Sequence, residues 1–412
     1  MKKKIFVRGP VLSQSGYGEQ SRFALRALMS REDIFDIYIQ PIPWGHTGWI
    51  WEQSSFREWM DSKIAITQVL LQQKNLQPDI SLQVTIPNEF QQVCPVNIGY
   101  TAGIETTKVS PAWLQKGNEM NKVLVVSNHA KDSYVNTVFA AKDQSTGKTV
   151  EYQLETPVEV VWETTPREEP EKIDGISLDY DFNFLMISQF GPRKNFENAV
   201  KWWIEEFIDQ EVGLVLKTNL KNNSITDWDY LQKNINNMVE NYPDRKCKVY
   251  LLHGDLSSGQ MTWLYNNPKI KALVNIAHGE GFGLPMFEAS REALPIITVG
   301  WSGQKDFLTH DDKEYFQKVD HSLQPISERA VWDGVLEKDS MWAYADQGSY
   351  KMGLRKLFKN WDDAKEKAVE LQKINSDKFS DEKLYKLFVD SVLGFDSSLI
   401  SSEEGEGVLE FE

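Results

Sequence analysis

The chain alternates short apolar runs with helical segments, and it does so in two separate series. In the first half, the apolar runs occupy residues 4–8, 36–40, 79–86, 96–101, 123–127 and 158–163. In the second half, they occupy residues 182–190, 212–217, 249–253, 272–276 and 296–299. Apolar runs separated by helices are typical of parallel strands covered on both faces, so each half predicts one parallel α/β sheet.

A polar segment separates the two series. Residues 164–175, TTPREEPEKIDG, contain two prolines, several charges and no apolar periodicity, which is typical of an interdomain connection. We therefore expect a first Rossmann-like domain over residues 1–165 and a second over residues 176–378. An amphipathic helix follows over residues 379–396, and residues 397–412 form an acidic tail that is poor in core residues.

Composition excludes several classes of protein. The 412 residues include 41% hydrophobic and 25% charged residues, ordinary values for a soluble globular chain, and no apolar run could span a bilayer. The opening residues MKKKIFVRG lack the apolar core of a signal peptide, and two cysteines are too few for a disulfide framework, so we predict a cytoplasmic protein. The net charge of −15 disfavours a nucleic-acid partner.

No set of metal ligands is evident. The segments Asp179–Tyr180–Asp181 and Asp227–Trp228–Asp229 both match a D-x-D pattern, but each lies at the boundary of a predicted strand or helix. Clustered His and Asp residues with ligand spacing are missing elsewhere, so we predict no bound metal.

Residues 271–299, KALVNIAHGEGFGLPMFEASREALPIITV, predict a buried strand, a glycine-rich turn, a short helix and another strand. Pro285 suits the first turn of that helix, whose free N–H groups suit a phosphate. Glu280 and Glu288 bracket the turn. Carboxylates beside a phosphate site are unfavourable unless they bind hydroxyls or a cation, so the pattern indicates a sugar nucleotide. The alternative is an ordinary strand–helix junction with glycines for tight packing.

Two other strand ends carry suitable groups. The loop GPVLSQSGYGEQS follows the first strand, and Gly16 and Gly18 would let a ligand approach its backbone. Arg193 and Lys194 follow the first strand of the second series and would neutralise a diphosphate. A solvated basic turn is the alternative. Ligands of parallel sheets bind at the carboxyl ends of strands, where all these groups lie.

The first domain offers further groups on the same rim. Glu105 follows a strand and either holds a substrate hydroxyl or is a solvated loop residue. His129 also follows a strand, where Ser127 or Asn128 could be a helix N-cap. An aromatic-rich loop either stacks on a sugar or packs on the sheet; it contains Trp44, His46, Trp49 and Trp51.

Together these segments resemble the retaining glycosyltransferases of the GT-B fold, specifically family 4. HGEGFGLPMFEASREALPIIT is similar to the E-x7-E signature of that family, roughly EGFGLPxxEAxxxGxPVI, and FGPRKN is similar to its diphosphate-binding segment. SGYGEQSRFALRAL resembles its N-terminal glycine loop, and YTAGIETTKVSPAW resembles a later segment of the first domain. The resemblance is specific over residues 180–310 and looser before them.

The resemblance implies two Rossmann-like domains that face a cleft, with the C-terminal helix crossing back to the first domain. It implies transfer of a hexosyl group, with retention, from a UDP- or GDP-linked sugar to a carbohydrate or other hydroxyl acceptor bound on the first-domain side. Neither a metal nor a prosthetic group would take part. The alternatives are a nucleotide-sugar epimerase of the same fold and a non-catalytic module that binds glycans or nucleotide sugars.

The resemblance also implies roles for individual residues. Glu280 would contact the donor sugar, and Glu288 would hold the ribose. The catalytic set would be Glu280, Arg193, Lys194 and Glu105. The donor would be bound by Gly16, Arg193, Lys194, Phe282, Gly283, Leu284 and Glu288. Glu292 and Ala293 stand where the family usually has glycine before the next strand. The catalytic histidine of the family has no clear counterpart, so Glu105 or His129 would assist the acceptor.

Overall fold

The computed structural model describes residues 2–143, 145 and 147–394, together with the backbone of residues 409–411. The elements of the first half are β1 (Lys3–Gly9), α1 (Gly16–Met29), β2 (Phe35–Pro41), α2 (Ser55–Gln72), β3 (Ile80–Val84), β4 (Val96–Thr101), α3 (Pro111–Asn118), β5 (Lys122–Val125), α4 (Asn128–Val135), β6 (Phe139–Asp143), β7 (Thr149–Tyr152) and β8 (Val158–Val160).

The second half continues the alternation. Its elements are β9 (Asn183–Ile187), α5 (Phe196–Phe207), β10 (Gly213–Lys217), α6 (Ile225–Glu240), β11 (Lys248–Leu252), α7 (Ser258–Asn266), β12 (Ile270–Asn275), α8 (Leu284–Arg291), β13 (Ile296–Val299), α9 (Lys305–Leu308), β14 (Thr309–His310), β15 (Lys313–Glu314), β16 (Gln317–Val319), β17 (His321–Pro325), β18 (Met341–Ala345), α10 (Gln347–Lys359), α11 (Trp361–Lys378), α12 (Asp381–Leu393) and β19 (Leu409–Phe411).

Two six-stranded sheets form the framework. The first has the order β2-β1-β3-β4-β5-β8 and the second the order β11-β10-β9-β12-β13-β16, with parallel pairing throughout. The predicted pair of parallel sheets is confirmed. In both sheets the strand order reverses beside the first strand of the half, and ligands of such sheets bind at that reversal.

Residues 309–345 were not assigned to elements by sequence patterns. They contain the edge strand β16 and the antiparallel hairpin β17–β18. The strands are short, and β17 is mostly exposed, so neither apolar runs nor alternation marks them.

The C-terminal helix α12 packs against α1 of the first domain. The ring of Phe388 meets that of Phe23 edge-on at 5.7 Å and lies 5.6 Å from that of Tyr100. The predicted crossing back is therefore confirmed. None of the helices in the described part of the chain combines the length and the apolar character that a bilayer-spanning segment requires.

A small antiparallel unit projects from the first half. Strands β6 and β7 form a hairpin, and β19 pairs with β6. Apart from the backbone of Leu409–Phe411, the predicted acidic tail lies outside the described residues.

Candidate active site

The basic turn is fixed against the end of β12. Arg193 and Lys194 lie in a single 3-10 turn, and Asn195 follows in the left-handed conformation (φ 50°). The Asn195 amide donates to the Ile276 carbonyl at 3.2 Å, and the His278 N–H donates to the Arg193 carbonyl at 2.8 Å. These bonds join the strand ends of β9 and β12 and bring both cations beside Glu280.

Glu280 is buried between the two cations. Lys194 Nζ lies 2.6 and 2.7 Å from its two carboxylate oxygens, and Arg193 donates to one of them at 3.1 Å. Burial by itself raises the pKa of Glu280, but Lys194 and Arg193 outweigh it and lower that pKa to about 2. Burial, reinforced by Arg193, lowers the pKa of Lys194. Glu280 is therefore ionised over the physiological range and cannot serve as a general acid there.

Three polar residues that the sequence analysis missed hold Glu280 in place. Asn275 donates to its carboxylate at 3.0 Å, and the Glu280 N–H donates to Ser302 Oγ at 2.9 Å. Ser302, at φ 77°, donates in turn to Gln304 at 2.8 Å. Asn275 ends β12 and Ser302 follows β13. Their positions at the carboxyl ends of parallel strands are the sequence feature from which a place in the site could have been predicted.

Glu105 reaches this group from the first domain. Its carboxylate lies 3.2 Å from the Arg193 guanidinium. A Cβ on Gly279 would stand 2.4 Å from the Glu105 carbonyl, and one on Gly281 would stand 2.4 Å from the Ala102 carbonyl. These two glycines therefore let the first domain approach the turn before α8. Tight packing was the alternative role that the sequence suggested for the glycines of this turn.

The helix α8 begins with uncapped N–H groups. Gly283 precedes it at φ 97° without a side-chain cap, and Pro285 lies in its first turn. Within the described residues, no carbonyl or side chain accepts a hydrogen bond from the N–H of Phe282, Gly283 or Leu284. The Phe282 ring is buried against Phe287, so only its backbone is available to a ligand.

Glu288 lies apart from the basic pair, in a different part of the cleft. It accepts hydrogen bonds from Tyr265 at 2.7 Å and from Thr165 of the interdomain connection at 3.0 Å. Burial raises its pKa. A cleft opens beside it, between the first-domain residues Gln14 and Glu19 and the helices α7 and α8.

Glu163 is a buried carboxyl that the sequence analysis did not single out as a site residue. One of its oxygens has no hydrogen-bond partner among the described residues. Burial, together with the charges of Glu19 and Glu288, raises its pKa to about 8. Glu163 is therefore protonated at neutral pH, at a point where both domains contribute acids.

The two glycines of the first-domain loop differ in their surroundings. Gly16 starts α1 and faces open space, since a Cβ there would have no heavy atom within 4 Å. A Cβ on Gly18 would lie 2.0 Å from the Ser13 carbonyl. Gly18 is thus required for the loop to pack, whereas Gly16 is free to face a ligand.

His129 packs at the domain interface. Its ring meets that of Trp301 edge-on at 4.7 Å, and burial lowers its pKa to about 4, so it is neutral. Ser127 caps α4, as one of the sequence alternatives predicted.

Asp227 of the second D-x-D segment accepts hydrogen bonds from three backbone N–H groups and contacts His253, as a boundary residue does. Within the described residues, no group of three or more His, Cys, Asp and Glu side chains could hold a metal ion.

Comparison with known proteins identifies the class of fold. No protein-family model matches the chain, and no curated protein sequence matches it. Many solved structures do match, and those with well-covered chains share the two facing parallel-sheet domains. The architecture is GT-B, as predicted.

Three solved structures illustrate this similarity. Sucrose-phosphate synthase from Thermosynechococcus elongatus is 12% identical, with a TM-score of 0.62, and the match covers 95% of this chain and 99% of that one. A glycosyltransferase from Rickettsia africae is 11% identical, with a TM-score of 0.60 and coverage of 96% and 100%. HepE from Anabaena, solved with UDP and glucose, is 11% identical, with a TM-score of 0.58 and coverage of 95% and 100%. At such identities the likeness establishes the fold.

Proposed function

We propose that this protein is a retaining glycosyltransferase of family 4. It moves a hexosyl group from a UDP- or GDP-linked sugar to an acceptor hydroxyl, without a metal ion. The carrying observation is the buried Glu280 between Arg193 and Lys194, opposite Glu105 of the other domain. The GT-B neighbour solved with UDP and glucose supports a nucleotide-sugar donor.

The two cations stabilise the leaving group. As the bond between the sugar and the diphosphate breaks, negative charge grows on the diphosphate, and pre-placed donors in a site shielded from water stabilise that charge strongly. Arg193 offers a planar fork, Lys194 a point charge, and the start of α8 three backbone N–H groups. These groups supply the stabilisation that a metal ion provides in other transferases.

Glu280 orients the donor sugar. It remains a carboxylate because its pKa is about 2, so it accepts hydrogen bonds from sugar hydroxyls and does not deliver a proton. The acceptor proton passes to the departing phosphate oxygen on the same face of the sugar, which accounts for retention. Glu288, held by Tyr265 and Thr165 in the separate cleft, binds the ribose hydroxyls.

Glu105 has to leave Arg193 when the donor binds. Without a ligand, the charges of Arg193 and Lys194 are balanced by those of Glu105 and Glu280. A bound diphosphate adds negative charge to this balanced group, so one carboxylate has to be displaced. Arg193 then exchanges the Glu105 carboxylate for a phosphate oxygen. The released Glu105 lies on the acceptor side, where it positions the acceptor hydroxyl.

A screen of nucleotide sugars tests this function. UDP-, GDP- and ADP-linked hexoses are compared for the rise they cause in melting temperature, and turnover is measured with the strongest binder. We expect the nucleotide sugars of one base to raise the melting temperature of the protein, and turnover to release the corresponding nucleoside diphosphate. An isomerised nucleotide sugar would identify an epimerase instead, and binding without turnover over a panel of acceptors would identify a binding module.

A further inference from the structure

Two tryptophans on the loop before α2 are exposed to solvent. All fourteen tryptophans lie in the described part of the chain, and the three exposed ones are Trp49, Trp51 and Trp332. Trp49 is 66% exposed and Trp51 is 95% exposed, whereas Ile50 between them is buried. The alternation puts both indoles on the solvent side of the segment. We call Trp49 and Trp51 the aromatic platform.

The backbone that carries the platform is fixed to the glycine loop. The Ile50 N–H donates to the Leu12 carbonyl, and the Gln14 N–H donates to the Gly48 carbonyl, both at 2.8 Å. Ser13 and Thr47 join their hydroxyls at 2.7 Å. The two indoles are therefore displayed on a fixed segment, where they form an exposed aromatic surface.

The loop that carries the platform contacts both domains. On the same loop, the ring of Trp44 packs on that of Tyr17, next to Gly16, with 4.3 Å between ring centroids. The His46 carbonyl accepts a hydrogen bond from Asn222 of the second domain at 3.2 Å. The same loop is bonded through Gly48 to Gln14, which lines the cleft, so the platform lies on a loop that borders the cleft.

The chemistry of the surface favours a neutral carbohydrate. Glu52, which follows Trp51 in the chain, is exposed, and its carboxylate can accept hydrogen bonds from sugar hydroxyls. The C–H groups on one face of a hexose ring carry slight positive charge, which the negative face of an indole attracts. The net charge of −15 disfavours an anionic polymer or an anionic membrane.

We infer that the platform binds the acceptor, and that this acceptor is a neutral oligo- or polysaccharide whose sugars stack on Trp49 and Trp51. This inference rests on the proposed function, because it names the class of acceptor for the same cleft. The sugar that receives the hexosyl group would lie in the cleft, and the platform would hold sugars further along the chain.

Affinity gel electrophoresis tests the inference. The wild type, W49A/W51A and the control W332A, which removes a tryptophan of comparable exposure at 58%, are run in gels that contain neutral glucan, mannan or galactan. We expect at least one polysaccharide to retard the wild type and W332A, and W49A/W51A to lose most of that retardation. Vesicles of phosphatidylcholine and phosphatidylglycerol are tested by flotation in parallel.

Three outcomes would overturn the inference. They are no retardation of the wild type in any gel, equal retardation of W49A/W51A, and vesicle binding that depends on the two tryptophans. Nucleotide-sugar binding and hydrolysis by the wild type are measured separately. If they occur without polysaccharide binding, only this inference fails; if both are absent, the proposed function fails too.

Discussion

Single side chains of the basic turn hold the charges on which the proposed chemistry depends. Arg193 and Lys194 both contact Glu280, and Arg193 also contacts Glu105. Burial alone would lower the pKa of Arg193, but Glu105 and Glu280 raise it, so the guanidinium stays charged. Arg193 therefore provides permanent positive charge in a partly shielded site.

Removing either cation should slow transfer. We expect R193A and K194A each to lower turnover by roughly 10²-fold, as the loss of other charge-stabilising donors does. Steady-state kinetics with the donor found in the screen measure this. R355A is the control, since Arg355 is an exposed arginine of the second domain that pairs with Glu206. Near-normal turnover of both test variants would contradict the assignment.

Ala293 occupies a position that favours glycine. It follows the C-terminus of α8 at φ 51°, and the Leu294 N–H closes the turn onto the Ala289 carbonyl at 3.0 Å. The left-handed conformation costs a non-glycine residue roughly 1–2 kcal/mol. Glycine avoids that strain but loses roughly 0.5–1 kcal/mol more conformational entropy on folding than alanine does.

A293G should therefore stabilise the protein. We expect a gain of about 0.5–1 kcal/mol in the free energy of unfolding, or a rise of about 1–3 °C in melting temperature. Differential scanning calorimetry measures it. A364G, inside α11, should instead cost about 1 kcal/mol. A lower melting temperature for A293G would show that the left-handed turn carries no strain.

The junction of β1 and α1 contains one glycine that packing requires and one that faces open space. Gly18 packs against the Ser13 carbonyl, whereas Gly16 meets nothing within 4 Å. Packing requires glycine at position 18 but not at position 16, and the G-x-G pattern alone does not distinguish the two positions.

Alanine at position 18 should change stability, whereas alanine at position 16 should change donor binding. G18A should cost about 1–3 kcal/mol, because its Cβ would overlap backbone. G16A should keep the melting temperature of the wild type but weaken donor binding several-fold, because its Cβ would occupy the space toward which the diphosphate approaches. Melting curves with and without the donor measure both effects. Unchanged donor binding by G16A would remove Gly16 from the site.

At the scale of the whole molecule, the two domains meet through titratable groups. Glu163 lies after β8, Glu19 in α1 and Glu288 in α8, so acids from both halves face one buried region. A carboxyl whose pKa is raised on folding binds its proton more tightly in the folded state. Its contribution to stability therefore falls as pH rises from about 4.5 toward about 8.

E163Q should reduce this pH dependence. The wild type should lose stability between pH 6 and pH 8.5, and E163Q should lose less, by roughly 1 kcal/mol or more, since one pKa unit corresponds to 1.36 kcal/mol. Melting temperatures at several pH values measure the difference. E159Q, which removes an exposed carboxylate that pairs with Lys122, serves as the control. Parallel pH profiles of wild type and E163Q would contradict the raised pKa.

The contact between Glu105 and Arg193 lies where we propose that the donor diphosphate binds. If Glu105 competes with phosphate for Arg193, E105Q should bind the nucleoside diphosphate about two- to fivefold more tightly, the range for a partly exposed ion pair. Its transfer rate should nevertheless fall, because the acceptor hydroxyl loses its positioning group.

Calorimetric titration and initial rates separate these two effects. E119Q, which alters an exposed first-domain carboxylate paired with Lys116, should change neither. Weaker nucleotide binding by E105Q would show that Glu105 supports the donor site and does not compete with phosphate.

The sequence by itself determined the strands that long apolar runs mark, the pair of parallel sheets and the C-terminal amphipathic helix, whereas the return of that helix to the first domain was implied by the family resemblance. Such runs report burial directly, and Arg193, Lys194 and Glu280 each follow a strand, so they could be predicted to share one edge. The short strands between residues 309 and 345 have no comparable pattern.

Only the tertiary structure decided which partners meet. Asn275 and Ser302 hold Glu280, Gly279 and Gly281 admit the first domain, and Glu163 is buried beside acids of both halves. These contacts join residues far apart in sequence, and their effect depends on burial and distance, which no local pattern encodes. The same reason explains why the exposure of Trp49 and Trp51, and with it the inferred acceptor surface, emerged only from the folded chain.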